Sequence, residues 1–119
     1  MKARVRVKRG VILSYNIWWE FVEESLEDFF GSMGIPVVWL TSNLEGNHSA
    51  SSSHYEARAW DIRKLDGWNT EDQESVAEAL RRHLDKHAGL RGHPQWKFYV
   101  VFHGRPKHYH IQVVRSVVP

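Results

Sequence analysis

The side chains able to do chemistry fall in two places. The segment Ser52-Ser53-His54-Tyr55-Glu56-Ala57-Arg58-Ala59-Trp60-Asp61 sets an imidazole and a carboxylate seven residues apart, and three further histidines, His103, His108 and His110, crowd near the C-terminal end. The chain has eight histidines and no cysteine, so any bound metal must be held by His, Asp or Glu. Imidazole and carboxylate are both good zinc donors. One histidine of the later cluster added to His54 and Asp61 gives three protein ligands and leaves a fourth position for water, which is the arrangement of a catalytic zinc. The odd spacing puts His54 and Asp61 on opposite faces of an ideal strand. Both reach one ion only if the chain turns or bulges between them, as the serine-rich approach allows.

Positioning these groups requires a sheet. From Trp96 to Val118 the pattern reads as two strands separated by Gly104, Arg105, Pro106 and Lys107, residues of turn composition. A four-residue loop there places His103 opposite His108 and Val101 opposite His110. His103, His108 and His110 then share a face with Tyr99, Val101 and Gln112, while Phe98, Val100, Phe102, Tyr109, Ile111 and Val113 form an apolar face that must meet helices. Apolar residues recur at helical steps from Ile17 to about Met33, and the helix is closed by Gly34. Thr70 and Gln73 form a capping-box pattern for a second helix, with Val76, Leu80 and Leu84 inward, ending at Gly89. Val5, Val7, Val11 and Leu13 predict an opening strand or hairpin with a bend at Gly10, and Val37 to Leu40 a buried strand; Thr41 to Ser53 reads as a long loop.

The totals suit this plan. A chain of 119 residues, 42% hydrophobic, supports one compact domain over 1–119 with a real core. The formal charge of +2 is modest and the basic residues are spread along the chain, so nucleic acid is not an expected partner. Arg4, Arg6, Lys8, Arg9 and the six tryptophans are all that favours it, and Trp18 and Trp39 sit in apolar patterns that assign them to the core. No apolar run approaches the roughly 18 residues of a membrane span, and the opening residues lack the pattern of a secretory signal. The expectation is a soluble protein made in the cytoplasm, whose export would need another route such as a phage holin. Its oligomeric state is left open.

The run SSSHYEARAWDI resembles the Ser-x-His-x-x-Gly-x-Ala-x-Asp motif shared by D-alanyl-D-alanine peptidases and the Hedgehog amino-terminal domain, and KHYHIQV is similar to their His-x-His strand. The resemblance spans about Thr41 to Val114. It implies an α+β fold, a mainly antiparallel sheet with two main helices on one face. It also implies zinc held by His54, Asp61 and His110. His48, in GNHSASSSH, matches a Hedgehog active-site histidine, and Ser52, Tyr55 and Arg58 are the expected substrate contacts. The chain departs from the pattern at Ala57, where the families have glycine. It also carries Lys107 where the peptidases place a catalytic glutamate, and His103 or Gly104 near the Hedgehog counterpart. The arginine that grips a substrate carboxylate, expected in the loop after Thr41, is not evident.

The function implied is a zinc-dependent peptidase or amidase acting on peptidoglycan peptides, in which metal-activated water attacks an amide bond. His108 is the expected proton acceptor, with His103 and His48 orienting water or stabilising the oxyanion and Glu56 a further candidate acid. The competing class is a Hedgehog-like module that holds zinc without catalysis and serves partner or ligand recognition. His83 and His87, four apart on the second helix, read as boundary residues of an amphipathic surface.

Overall fold

A computed structural model of the chain describes residues 1–44 and 58–114. The strands are β1 (Arg4–Val7), β2 (Val37–Ser42), β3 (Ala59–Arg63), β4 (Lys97–His103) and β5 (His108–Val114), and the helices are α1 (Ile17–Ser32) and α2 (Thr70–Leu90). They form a five-stranded sheet in the order β1-β2-β3-β5-β4. Only β1 and β2 run parallel, because α1 carries the chain back between them; the other pairs are antiparallel. The architecture is α+β, as expected.

Alternation along the strands divides the sheet into two faces. Val38, Leu40, Trp60, Ile62, Phe98, Phe102, Tyr109 and Ile111 point to the buried side, where the helices supply Trp19, Val22, Leu26, Phe30, Leu80 and Leu84. Each fully buried large apolar side chain contributes about 1.5–3 kcal/mol. Trp19 lies against Trp60 of the central strand with ring centroids 6.1 Å apart, and Phe21 stacks on Phe98 of the edge strand at 5.7 Å, which seats α1 on the sheet.

Several local expectations are corrected. The opening segment is no hairpin. β1 ends at Val7, its partner is β2, and Gly10 makes a turn at φ 92° before an irregular run to α1. β2 continues through Thr41 and Ser42, past a register irregularity between Leu40 and Ser42, so these two residues, read as loop from composition, belong to the strand; the rest of that expected loop after Leu44 lies outside the described residues. The cap of α2 is Asn69, whose side chain accepts from the Asp72 amide at 2.8 Å. Gln73 is thereby released from a capping box. It is buried, its Oε1 accepts from the Leu65 amide at 2.7 Å and the Tyr109 hydroxyl at 3.1 Å, and its amide donates to the Trp68 carbonyl at 3.2 Å. Trp19 is the core tryptophan of its pair, with Trp18 only partly covered. Trp39 belongs to the open face of the sheet because β2 alternates and is not buried throughout.

Candidate functional site

The hairpin has the register its turn composition implies. His103 pairs with His108 and Val101 with His110, and the three imidazoles stand on the face away from the helices. β3 lies on the other side of β5, with Asp61 paired to His110 and Arg63 to His108, so Asp61 joins the same face. His103 packs 5.2 Å from the His108 ring and 5.6 Å from the His110 ring, centroid to centroid. Four groups of the two sequence clusters therefore meet over the centre of the sheet.

Asp61 is the hub. One carboxylate oxygen, Oδ1, is 3.1 Å from His110 Nδ1 and 3.6 Å from His108 Nε2, and the Asp61 side chain is only 14% exposed. Its backbone is held by the Thr41 hydroxyl, which donates to the Asp61 carbonyl at 3.2 Å. Nearby, the buried Asn43 donates to the Ala59 carbonyl at 2.9 Å and accepts from the Ser14 amide at 2.9 Å, fastening β3 to the segment before α1.

The two central imidazoles are set up differently. His110 has an oxygen at each nitrogen: Asp61 Oδ1 at Nδ1, and Gln112 Oε1 at Nε2, 3.1 Å away. A ring between two acceptors needs either two protons or a cation on one side. Burial opposes the charged form, but the hydrogen bonds with Asp61 and Gln112 outweigh it and leave the His110 pKa above its ordinary value. His108 Nδ1 is 2.9 Å from the Pro106 carbonyl. A carbonyl only accepts, so this nitrogen carries the hydrogen and Nε2 presents its lone pair toward the face. His103 is pushed the other way: burial first, then the neighbouring His108 and His110, hold its pKa below the ordinary value despite Asp61.

The donor set suits a zinc ion. Two ligands on a tetrahedral zinc, each about 2.1 Å from the metal, stand roughly 3.4 Å apart. The 3.1 Å between Asp61 Oδ1 and His110 Nδ1 is close to that edge. Gln112 supplies what a ligating histidine needs behind it, an oxygen accepting its second N–H. Among the described residues no three His, Asp or Glu side chains close on one point as a metal centre. His54, the expected third ligand, lies outside the described residues, as do His48, Ser52 and Tyr55. Arg58, expected to contact substrate, stands just before β3, where its guanidinium donates to the Val113 carbonyl at 2.7 Å.

A cavity of about 420 Å³ opens beside Asp61 and His108, lined also by Thr41, Lys8, Arg63, Lys64 and Lys107. Sequence reasoning assigned no role to Gln112 or to Arg63, Lys64 and Lys107. Gln112 was legible as a neighbour of His110 on one strand face; the basic residues come from separate elements and only the sheet order joins them. A scan against protein-family profiles, a search of curated proteins and a search of solved structures each return no match.

Proposed function

We propose that the chain is a zinc-dependent peptidase or amidase of the Hedgehog and D-alanyl-D-alanine peptidase type, acting on cell-wall peptides. One observation carries the reading: Asp61 Oδ1 faces His110 Nδ1 at 3.1 Å and His108 Nε2 at 3.6 Å, beside an open cavity. Asp61 and His110 would hold the metal together with His54. Zinc bound there would supply Lewis acidity, polarising the scissile carbonyl and acidifying a water.

The chain's own groups account for the proton. His108 Nε2, fixed as the lone-pair nitrogen by Pro106, accepts the proton of the attacking water as its oxygen bonds to the carbonyl carbon. The resulting imidazolium faces the Asp61 carboxylate, then returns the proton to the leaving amine nitrogen as the amide C–N bond breaks. His103, whose pKa is lowered by burial and by the neighbouring His108 and His110, flanks His108 and can orient that water. A histidine base takes the place of the glutamate that the families carry at the positions of Lys107 and of His103 or Gly104.

A specific observation favours the second reading, a zinc-holding module without catalysis. Among the described residues lining the cavity, Asp61 is the one carboxylate, and it is a candidate ligand. Two measurements separate the readings. Elemental analysis of untagged protein should give about one zinc per chain, falling severalfold in Asp61→Asn and in His54→Ala. Purified peptidoglycan digested with zinc-loaded protein should release peptide fragments detectable by mass spectrometry, and His108→Ala should release about a hundredfold less. Zinc-loaded wild type that leaves every cell-wall substrate intact removes the peptidase reading and leaves the binding module; no zinc at all removes both.

A further inference from the structure

The cavity beside Asp61 and His108 carries more positive charge than the molecule as a whole explains. Lys8 enters it from the end of β1, Arg63 and Lys64 from the end of β3, and Lys107 from the turn between β4 and β5. Four cations face one carboxylate in a chain whose formal net charge is only +2. Elsewhere some basic residues have carboxylate partners: Lys2 pairs with Asp28, Arg81 with Glu78 and Asp85, Arg82 with Glu78, and Arg91 with Glu24. Among the described residues, none of the four cavity cations has such a carboxylate partner. Like charges gathered without partners repel, so their arrangement costs stability unless something negative joins them.

One of the four is also held in place. The Arg63 guanidinium lies 5.3 Å from the centroid of the Trp39 ring on the open face. Its planar fork of N–H groups matches a carboxylate. Arg63 and Lys64 also line a neighbouring cavity of about 310 Å³, together with Trp39, Asp66 and Trp68. The positive region thus starts at the Asp61 and His108 pair and ends where Asp66 enters the lining.

From this we infer that the cavity binds an acidic peptide segment with at least two carboxylates, set against Lys8, Arg63, Lys64 and Lys107. The inference deepens the peptidase reading and rests on it for the ligand being a peptide; the charge pattern itself requires only a multiple anion. A nucleic acid fits less well, because the Arg63 guanidinium lies close to the Trp39 ring on which a base would stack.

Binding, read without cleavage, tests it. A fluorescein-labelled octapeptide with two glutamates is titrated against the full-length zinc-loaded protein, beside the same peptide with glutamines. The acidic peptide should bind at least tenfold more tightly and weaken steeply between 50 and 300 mM salt. Arg63→Gln and Lys107→Gln should each cost about tenfold, while Lys64→Arg and Lys107→Arg, which keep the charge, should retain binding; circular dichroism checks that the variants are folded. Equal affinity for the two peptides, or indifference to the glutamine variants, overturns the inference. So does tighter binding of a single-stranded oligonucleotide of equal charge. An acidic peptide bound but never cut, with cell-wall peptides also uncut, upholds the acidic-peptide site and removes the peptidase reading. Cell-wall peptides cut without regard to their carboxylates uphold the peptidase and remove the acidic-peptide site.

Discussion

With Gln112 turned oxygen-first, His110 sits between two acceptors, Asp61 Oδ1 and Gln112 Oε1, and the protonation of its ring therefore reports on the site. In chelator-treated protein the His110 ring should titrate above the ordinary histidine value of about 6.5, followed by nitrogen chemical shifts. Zinc should displace that proton, so adding metal near pH 6.5 to weakly buffered protein should release about one proton per chain. A His110 titration at or below the ordinary value would remove the argument for a cation at Nδ1. Gln112→Leu should weaken zinc binding by about tenfold, measured by chelator competition, because the second N–H loses its acceptor. Gly104 guards the neighbouring ring: it adopts φ 95°, and a Cβ there would lie 2.5 Å from His108 Cε1. Gly104→Ala should cost about 1 kcal/mol in denaturant unfolding and displace the His108 imidazole. The pairing of His103 with His108 and Val101 with His110 was legible in the sequence, since a four-residue turn between alternating strands fixes the register. The oxygen at His108 was not, because Pro106 reads only as a turn residue until the backbone folds, and Gln112 was legible as a neighbour of His110 but not as its hydrogen-bond partner.

At the level of elements, the expectations that held rest on periodicity and those that failed rest on partners. The alternation in β4 and β5 and the apolar spacing in α1 and α2 are properties of one segment, and the sequence displays them. The alternation in β1 is just as visible, but that it runs parallel to β2 is decided by α1 crossing between them. Nor does composition reveal where that crossing is tight. A Cβ on Gly31 of α1 would lie 2.2 Å from the Met1 carbonyl oxygen and 2.7 Å from the Ala3 nitrogen, so the chain ahead of β1 touches the helix backbone. The Ala3 amide donates there to the Glu27 carbonyl at 2.8 Å. Gly31→Ala should therefore destabilise by about 2 kcal/mol in chemical denaturation, against the slight gain that alanine brings to an open helix position. Asn43 teaches the same lesson from the loop side. Its surroundings in sequence predict a solvated loop, yet it is fully buried and bonds to both Ser14 and Ala59. A long-range pair of that kind leaves no periodic trace.

For the molecule as a whole, pH acts through histidines outside the site as well as within it. His83 lies on α2 between the Phe29 ring of α1, 5.4 Å away, and the His87 ring, 4.0 Å away, and its buried Nε2 has no hydrogen-bond partner among the described residues. Burial first, then His87 and Lys86, hold its pKa below the ordinary value, with Asp28 opposing them. The unfolded chain then takes up a proton at about pH 6.5 that the folded chain refuses until lower pH, so stability falls as pH drops below that point. His83→Leu should raise stability by about 1 kcal/mol at neutral pH, by removing the unsatisfied nitrogen, and by more at pH 5.5; urea titrations at the two pH values check it. In metal-free protein His110 works oppositely, stabilising below about pH 6.5 and losing that contribution as pH rises through its raised folded value. The sheet imposes one more property on the site. Asp61 and His110 are cross-strand partners in the interior of the sheet, where β3 is flanked on both sides, so their meeting depends on an unbroken ladder. Deuterium should therefore enter the central amides of β3 and β5 only through the rare excursions that unfold the whole domain, and ligand-binding competence should vanish in the same cooperative step.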